Sequence, residues 1–275
     1  MGTLYVCATP IGNLEDASYR LVRILGEVDL IACEDTRHTR ILLNHYGIKG
    51  AAISYHQHNQ KEREEQLISR LLAGDNIALV SDAGTPGISD PGRLLISMAR
   101  EEGIRVEIIP GPSAFVAALV LSGLDSQAFV FEGFLPARSA QRRKHLERLK
   151  GEMRTLVFYE SPHRLLALLK DINELWGDRQ VAVARELTKI YEEVKGGLVS
   201  EVIKHYEEHP PRGEISIVVE GARPDIPPDL EQVCHEVLDL MGKGVEKKQA
   251  LAQKAREYGM KKSEIYNRIE QLLGS

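Results

Sequence analysis

Cysteine is scarce in this sequence, and its three occurrences form no recognisable pattern. Cys7, Cys33 and Cys234 lie far apart and give no CxxC pair. An odd and sparse set argues against a disulfide framework and against a zinc knuckle. Because Cys7 and Cys33 stand within apolar runs, we expect them to pack in the core of a protein from a reducing, cytoplasmic compartment.

The sequence also lacks a long apolar run. Its longest apolar stretch, residues 114–121, is far shorter than the ~20 residues that span a bilayer. The first residues carry no basic segment of the kind that opens a signal peptide. We therefore predict that this is not a membrane protein.

An excess of positive charge is missing as well. The net charge is −5 at pH 7, so the protein as a whole is not a basic nucleic-acid binder, and contact with a polyanion must come from a local patch. Two common nucleotide motifs are also absent. Without GxxxxGK[ST] there is no P-loop, and without GxGxxG followed by a ribose-binding acid an NAD site is not expected.

Short apolar runs alternate with amphipathic stretches up to about residue 223. The first set predicts buried parallel strands at residues 4–8, 28–33, 77–81 and 106–109. A second set predicts strands at residues 129–131, 155–159, 181–184 and 215–219. Helical patterns lie between them, at residues 66–72, 93–101, 142–150 and 165–175. This order predicts an α/β fold of two lobes, residues 1–122 and 123–223.

The remaining residues, 224–275, predict a small helical extension. A proline-rich linker at residues 224–228 opens it, and only helical patterns follow. Ala255, Gly259, Met260 and Ile265 fit a helix-turn-helix, because a small residue, a turn glycine and two apolar positions lock two helices together. A plain helical hairpin satisfies the same pattern, so contact of this extension with nucleic acid stays open.

Three glycine-containing turns follow predicted strands, at residues 8–16, 81–92 and 110–114. In an open parallel sheet, ligands bind outside the carboxyl ends of the strands, where these turns lie. Each turn alone is compatible with a simple connection between a strand and a helix. Three of them at one edge of a sheet predict a ligand-binding site.

The motifs on these turns are shared with a known family. Thr9–Asp16, Cys33–Arg37, Ser81–Gly92, Pro110–Ala114 and Phe158–Arg164 resemble segments of tetrapyrrole-methylase-fold enzymes. The resemblance extends over about residues 3–222 and is strongest to the branch that acts on small-subunit ribosomal RNA.

The resemblance implies S-adenosylmethionine as the methyl donor, bound in a cleft between the two lobes. It further implies 2′-O-methylation of a cytidine in the decoding region of 16S ribosomal RNA, within the 30S subunit, by a homodimer. By motif position, the donor pocket is expected to include Pro10, Asp82, Gly84, Thr85, Ser113 and Ala114. The second turn departs from the Gly-Asp-Pro of tetrapyrrole-modifying members, which favours the RNA branch and leaves the role of Asp90 open.

A ribose hydroxyl is a weak nucleophile at neutral pH, so a base or a polarising cation would help its attack. We rank the turn with Glu160 and His163 first, because it follows a predicted buried strand, and Glu186 and Lys189 follow another predicted strand. Further candidates are Glu34, Asp35 and His56. Each of them also suits a salt bridge or a helix cap. His56 and His58 have the spacing of a metal pair, but a third ligand is not apparent, so we predict no metal site.

A basic stretch between the motifs is a candidate RNA surface. Residues 137–154 contain seven arginines and lysines against two glutamates. Phosphate contacts there would position the RNA; the predicted contacts are Arg138, Arg142, Arg143 and Lys144. A solvated helix face is an equally good interpretation of the same charges.

Two other functions fit part of the sequence. A small-molecule methyltransferase acting on a tetrapyrrole would share the fold, but it would not require the basic stretch or the C-terminal helices. A non-enzymatic regulator with a helix-turn-helix would leave the two large lobes and the three ligand turns unexplained. The sequence therefore favours an RNA ribose methyltransferase.

Overall fold

The computed structural model describes residues 1–56, 59–223, 229–258 and 260–273. They form two compact units, Met1–Ala222 and Arg223–Ser275. The predicted linker at residues 224–228 and the motif residues His58 and Gly259 lie outside the described residues. Among the residues described, no helix combines the length and the apolar character needed to cross a membrane.

The first sheet is fully parallel and has the order β3-β2-β4-β1-β5. Its strands are β1 (Thr3–Cys7), β2 (Leu30–Cys33), β3 (Ala52–Ser54), β4 (Ile77–Val80) and β5 (Arg105–Ile109). The helices that alternate with them are α1 (Tyr19–Glu27), α2 (Thr36–His45), α3 (Gln60–Ala73) and α4 (Arg93–Glu101). Apolar clusters cover both faces of β2 and β4, which explains why these strands are apolar throughout. Cys7 and Cys33 are buried free thiols, as predicted.

The second sheet is mixed and has the order β6-β7-β10-β8-β9. Its strands are β6 (Phe129–Phe134), β7 (Thr155–Glu160), β8 (Gln180–Arg185), β9 (Glu193–Leu198) and β10 (Ile215–Val219), and its helices are α6 (Ser139–Leu149), α7 (Pro162–Trp176) and α8 (Val199–Glu208). Strand β10 runs antiparallel to both β7 and β8, and Ile215 pairs with Glu160 on one side and with Arg185 on the other. The start of β10 therefore lies beside the ends of its two neighbours.

Helix α5 (Ala114–Ser122) joins the two sheets along the chain and packs on the second. Ala118 and Leu119 on this helix are buried in a cluster that also contains Val157, Ala184 and Val218 of the second sheet. By packing, the change from one sheet to the other therefore comes before α5, whereas the sequence places the lobe boundary after it.

The C-terminal unit contains the helices α9 (Leu230–Gly242), α10 (Lys247–Glu257) and α11 (Lys262–Leu273). Its core includes Val233 and Val237 of α9, Ala250 of α10 and the two motif residues Ala255 and Ile265. Burial of Ala255 and Ile265 confirms that this part of the chain is helical and that its helices pack on one another.

Candidate active site

A cavity of about 400 Å³ lies within the first unit, where turns from both sheets meet. The turns after β1, β2, β4, β5, β7 and β8 and the segment that leads into β10 all contribute to its lining. A cavity of this size holds a small-molecule ligand. Its place outside the carboxyl ends of the parallel strands is the place predicted from the glycine-containing turns.

Backbone hydrogen bonds join two of these turns. Thr9 N donates to Gly84 O at 2.9 Å, and Gly84 N donates to Thr9 O at 3.1 Å. Gly84 adopts a φ of 78°, a left-handed conformation that favours glycine. A third turn lies equally close, because a Cβ on Gly111 would stand 3.1 Å from the Cβ of Ala8. The three turns thus form one rigid wall of the cavity.

Asp82 links this wall to the start of α2. Its Oδ1 accepts a hydrogen bond from Asp35 N at 3.0 Å. Asp35 in turn caps α2 by accepting from Arg37 N at 2.8 Å, and its bonds with the Arg37 side chain lower the pKa of the Asp35 carboxyl to about 2. Asp82 therefore holds the turn after β2 in place while it lines the cavity.

Glu160, at the end of β7, presents an unpartnered oxygen. Its side chain is fully buried, and Oε1 accepts a hydrogen bond from Ser161 N at 2.8 Å and lies 3.1 Å from Arg164 Nε. Oε2 is buried and has no hydrogen-bond partner among the described residues. A buried carboxylate oxygen without a donor costs free energy. Because Glu160 lines the cavity, a donor group of a bound ligand would satisfy it.

The turn after β8 supplies a carboxylate and an ammonium group. Lys189 Nζ donates to Glu186 Oε1 at 3.0 Å. The same turn is tied to the opposite wall, because Asn13 N donates to Thr188 Oγ1 at 3.0 Å. Gly213 leaves room for the carboxylate, since a Cβ at that position would stand 1.8 Å from Glu186 Oε1. The pair is thus held within the cavity by contacts on two sides.

The lining is strongly acidic. It carries the carboxylates Glu34, Asp82, Asp90, Glu160, Glu186 and Glu214, and within the described part of the chain Lys189 is its one basic side chain. Burial, with a contribution from Glu34, raises the pKa of Asp90 to about 7. Burial and Asp82 also raise the pKa of Glu34. The arrangement favours a ligand that carries positive charge.

The structure brings most of the predicted site residues together. Of the predicted donor-pocket residues, Asp82, Gly84, Thr85, Ser113 and Ala114 line the cavity. Pro10 is buried outside the lining, and the adjacent Ile11 takes that position. Of the predicted catalytic residues, Glu160, Glu186 and Lys189 line the cavity. His163 is exposed on α7 outside the lining, and its ring nitrogen lies 3.4 Å from Ser161 Oγ.

Among the titratable side chains of the lining, Glu214 and Tyr159 have no counterpart among the predicted site residues. Glu214 precedes β10, so a search for side chains that follow strands does not find it. Tyr159 lies within β7, where its hydroxyl accepts a hydrogen bond from Phe115 N at 3.3 Å. Burial, together with Asp90 and Glu214, raises the pKa of Tyr159 to about 12. The position of Tyr159 in the 158–164 motif was its one signal in the sequence.

The structure corrects the predicted RNA surface at Arg142. Its side chain is 6% exposed, and Arg142 Nη2 lies 2.7 Å from Asp171 Oδ2. Arg143 also pairs with Asp171, at 2.8 Å, and with Glu174, at 2.7 Å. Because the Arg142 guanidinium is buried against Asp171, a phosphate at the surface does not reach it, and the prediction for Arg142 is wrong. Arg143 is 31% exposed but already pairs with two carboxylates, which weakens the prediction for it.

Arg138 and Lys144 remain available on the same segment. Both are exposed, and neither forms an ion pair among the described residues. Lys150 is exposed as well. Arg148 is exposed too, and its Nη2 lies 2.9 Å from His145 Nδ1. These four side chains carry the positive charge of the 137–154 stretch that no described carboxylate pairs with.

Within the ranges that the structure describes, no three histidine, cysteine, aspartate or glutamate side chains are grouped so that they could hold a metal ion. His56 lies with Glu34, Asp35 and Asp82 around a shallow depression beside the cavity.

Comparison with known proteins identifies a family. The family described as Tetrapyrrole (Corrin/Porphyrin) Methylases matches residues 3–203. A protein named Ribosomal RNA small subunit methyltransferase I from Synechocystis sp. is 48% identical over 269 residues, which cover 97% of this chain and 96% of that protein. A protein of the same name from Escherichia coli O157:H7 is 46% identical over 268 residues, covering 96% and 93% of the two chains.

Solved structures show the same fold at low sequence identity. A diphthine synthase has a TM-score of 0.62 at 15% identity and covers 80% of this chain and 90% of its own. A uroporphyrin-III C-methyltransferase from Thermus thermophilus, complexed with S-adenosyl homocysteine, has a TM-score of 0.56 at 20% identity and covers 79% and 97%. These likenesses confirm the predicted two-sheet α/β architecture.

Proposed function

Because the chain belongs to the tetrapyrrole methylase family, within the group of ribosomal RNA small subunit methyltransferases I, we propose that it methylates a ribose 2′-oxygen of a cytidine in 16S ribosomal RNA. The methyl donor is S-adenosylmethionine. The observation that carries the proposal is the acidic cavity, with the orphaned Glu160 Oε2 inside it. The decoding region of the 30S subunit is the proposed substrate, which places the enzyme in the cytoplasm.

The residues of the cavity fit this donor. S-adenosylmethionine supplies a methyl group on a positively charged sulfur, and it also carries an ammonium group and hydroxyl donors. Carboxylates stabilise such charges at close range, and the lining provides them around a volume of suitable size. Glu160 Oε2 lacks a donor among the described residues, and a hydroxyl or ammonium group of the donor would provide one.

The task of the protein in this reaction is mainly alignment. Holding the ribose oxygen in line behind the methyl carbon lowers the activation free energy by ~7–11 kcal/mol. A general base increases the rate by a factor of about 10²–10⁴, which corresponds to about 3–5 kcal/mol of activation free energy. The three turns that are joined at Thr9, Gly84 and Gly111 provide a rigid part of the pocket. Glu186 and Lys189 also line it, and their mutual hydrogen bond holds both side chains.

Methyl transfer from labelled S-adenosylmethionine tests the proposal directly. Purified protein is incubated with 30S subunits or with free 16S ribosomal RNA, and the RNA is digested to nucleosides. We expect the label in 2′-O-methylcytidine and competition by excess S-adenosylhomocysteine. Label on a nucleobase, or on no RNA at all, would contradict the proposal. Comparing the two substrates shows whether the assembled particle is required.

The exposed basic side chains of the 137–154 stretch are the proposed RNA contacts. We expect the double substitution Arg138→Glu and Lys144→Glu to weaken RNA binding and to flatten its dependence on salt, because each lost phosphate contact removes about one unit from the salt slope. Donor binding should not change. Filter binding at several salt concentrations, with calorimetry for the donor, measures both.

Lys49 and Arg100 offer a matched control for this experiment. Both are exposed, and they lie at the amino-terminal edge of the first sheet, away from the cavity. Reversing their charges changes the net charge of the protein by the same amount. If that variant loses RNA affinity equally, the effect is one of overall charge, and the 137–154 stretch is a solvated helix face.

A homodimer is the proposed assembly, and α5 is its proposed interface. The helix contains no charged residue. Val116, Val120 and Leu121 are 45%, 69% and 50% exposed, and Phe129 of β6 extends this apolar face through its ring contact with Phe115. An uncharged apolar face suits a second copy of the chain and not a polyanion.

Substitution of Val120→Glu together with Leu121→Glu should convert the dimer to a monomer, because two carboxylates would be buried at the interface without partners. Light scattering coupled to gel filtration measures the mass, which we expect to be twice the chain mass of 30.7 kDa for the unmodified protein. Leu72→Glu with Leu94→Glu, at exposed apolar positions on α3 and α4, is the control. A monomeric unmodified protein would refute the interface.

A further inference from the structure

The 81–92 loop holds Asp90 in the cavity by an unusual backbone path. Gly87 and Gly92 adopt φ values of 84° and 133°, and Ser89 adopts a φ of 62°, a conformation rare for residues with a side chain. Ser89 also reaches the second sheet, because its Oγ lies 3.0 Å from the position of a Cβ on Gly133. Strained backbone of this kind is concentrated at functional sites.

Asp90 differs from Glu160, Glu186 and Asp82, each of which has a partner, and resembles Glu34 and Glu214, which also form no ion pair among the described residues. Glu160 lies against Arg164, and Glu186 is paired with Lys189. Asp82 accepts the amide of Asp35. Asp90 forms no ion pair among the described residues. It is surrounded by groups that disfavour its charge or can donate a hydrogen bond, from its own loop and from three neighbouring elements: Ser81, Asp82, Glu34, Tyr159 and Glu214.

We propose that Asp90 is the proton acceptor of the methyl transfer. The proposal rests on the function proposed above. As the ribose 2′-oxygen forms its bond to the methyl carbon, the bond from that carbon to sulfur breaks and its electron pair stays on sulfur. The proton of the 2′-hydroxyl passes to the Asp90 carboxylate. The products are the methylated ribose, a neutral thioether and a protonated Asp90.

The charges of the cavity explain why this acceptor suits the reaction. The pKa of Asp90 is raised to about 7 by burial and by the neighbouring carboxylates, and a base works best when its pKa is near the operating pH. A positively charged donor lowers that pKa, so Asp90 is ionised before the transfer. The transfer removes the positive charge on sulfur and the negative charge on Asp90 together, so no unpaired charge is left behind.

The decisive experiment is a pH profile of single-turnover methyl transfer for the unmodified protein, Asp90→Asn and Glu34→Gln. The unmodified protein should show a rate that rises with pH and then levels off. Asp90→Asn should lose about 10²–10⁴-fold in rate and lose the pH dependence, a loss larger than the decrease in donor affinity that calorimetry measures for removal of one carboxylate from the lining. Glu34→Gln should shift the rising limb to lower pH, because a carboxylate that raises the pKa of Asp90 is gone.

Thermal unfolding gives a second readout that does not depend on activity. Since the pKa of Asp90 is higher in the folded protein than in the unfolded chain, stability is lost as pH rises from about 4 to about 7. Asp90→Asn cannot ionise, so its melting temperature should exceed that of the unmodified protein at pH 8 and match it at pH 4. A melting temperature that is lower at pH 8 would show that Asp90 is a structural anion.

The outcomes separate this inference from the proposed function. If the unmodified protein transfers no methyl group to RNA, both the proposed function and the proposed role of Asp90 are refuted. If it does so and Asp90→Asn keeps both the rate and the pH limb, the proton acceptor is another group and only the role of Asp90 is refuted.

Discussion

Gly213→Ala should lower kcat/KM for methyl transfer by about 10²-fold, the loss that a displacement of about 1 Å in an active site produces. A Cβ at this position would stand 1.8 Å from Glu186 Oε1, so the carboxylate must move. Movement of Glu186 breaks its hydrogen bond with Lys189, and both side chains line the cavity. Steady-state kinetics and donor calorimetry measure the effect.

Gly177→Ala is the matched control for this substitution. Gly177 has a φ of 81°, compared with 80° for Gly213, but a Cβ on Gly177 would meet no atom within 4 Å. Both substitutions place a side chain at a positive φ, and Gly177, with a ψ of −172°, lies in a region that only glycine adopts readily. Gly213→Ala alone displaces Glu186. If the two variants lose activity equally, the geometry of the Glu186–Lys189 pair is not important for the reaction.

Arg142→Ala should lower the free energy of unfolding by about 3–5 kcal/mol, because removing one partner of a buried ion pair leaves the other without compensation. The Asp171 side chain, 11% exposed, keeps only Arg143 as a partner, which places the expected loss toward the lower end of that range. Urea unfolding measures it as a shift of the midpoint.

Two further variants make this result interpretable. Lys144→Ala, two residues along α6 at an exposed position, should change stability by no more than about 0.5 kcal/mol. The double variant of Arg142→Ala with Asp171→Ala should be more stable than Arg142→Ala alone, since the double variant no longer contains a buried carboxylate that has lost one of its two partners. Unchanged stability of Arg142→Ala with reduced RNA affinity would return Arg142 to the RNA surface.

The central strands could be predicted from sequence because burial dictates their composition. Strands β2, β4 and β10 are covered on both faces and consist of apolar residues in every position or nearly so. Of the four edge strands, β5 and β6 were predicted, and β3 and β9 escaped prediction for the opposite reason. Strand β3 has three partly exposed residues, and β9 contains Gly196 and Gly197, which have low strand propensity.

The cavity was predictable where its residues follow strands, and less so elsewhere. The turns that carry Asp82 and Ser113 were found in this way. Glu214 was not, because local sequence does not encode the reversed direction of β10. Arg142 was wrongly predicted to lie on the RNA surface, because a count of charges does not show which face of a helix the charged side chains occupy. Leu146, one turn further along α6 and also buried, was the signal that Arg142 lies on the inner face.

The cavity is assembled from residues that are very far apart along the chain. Ile11 and Ser216 line the same space, and the hydrogen bond between Asn13 and Thr188 spans 175 positions. Contacts of such separation form late, after the chain has closed the intervening loops. During synthesis, a nascent chain in which β10 has not yet been made lacks the residues that β10 contributes to the cavity. The cavity is therefore complete only once β10 has joined the second sheet.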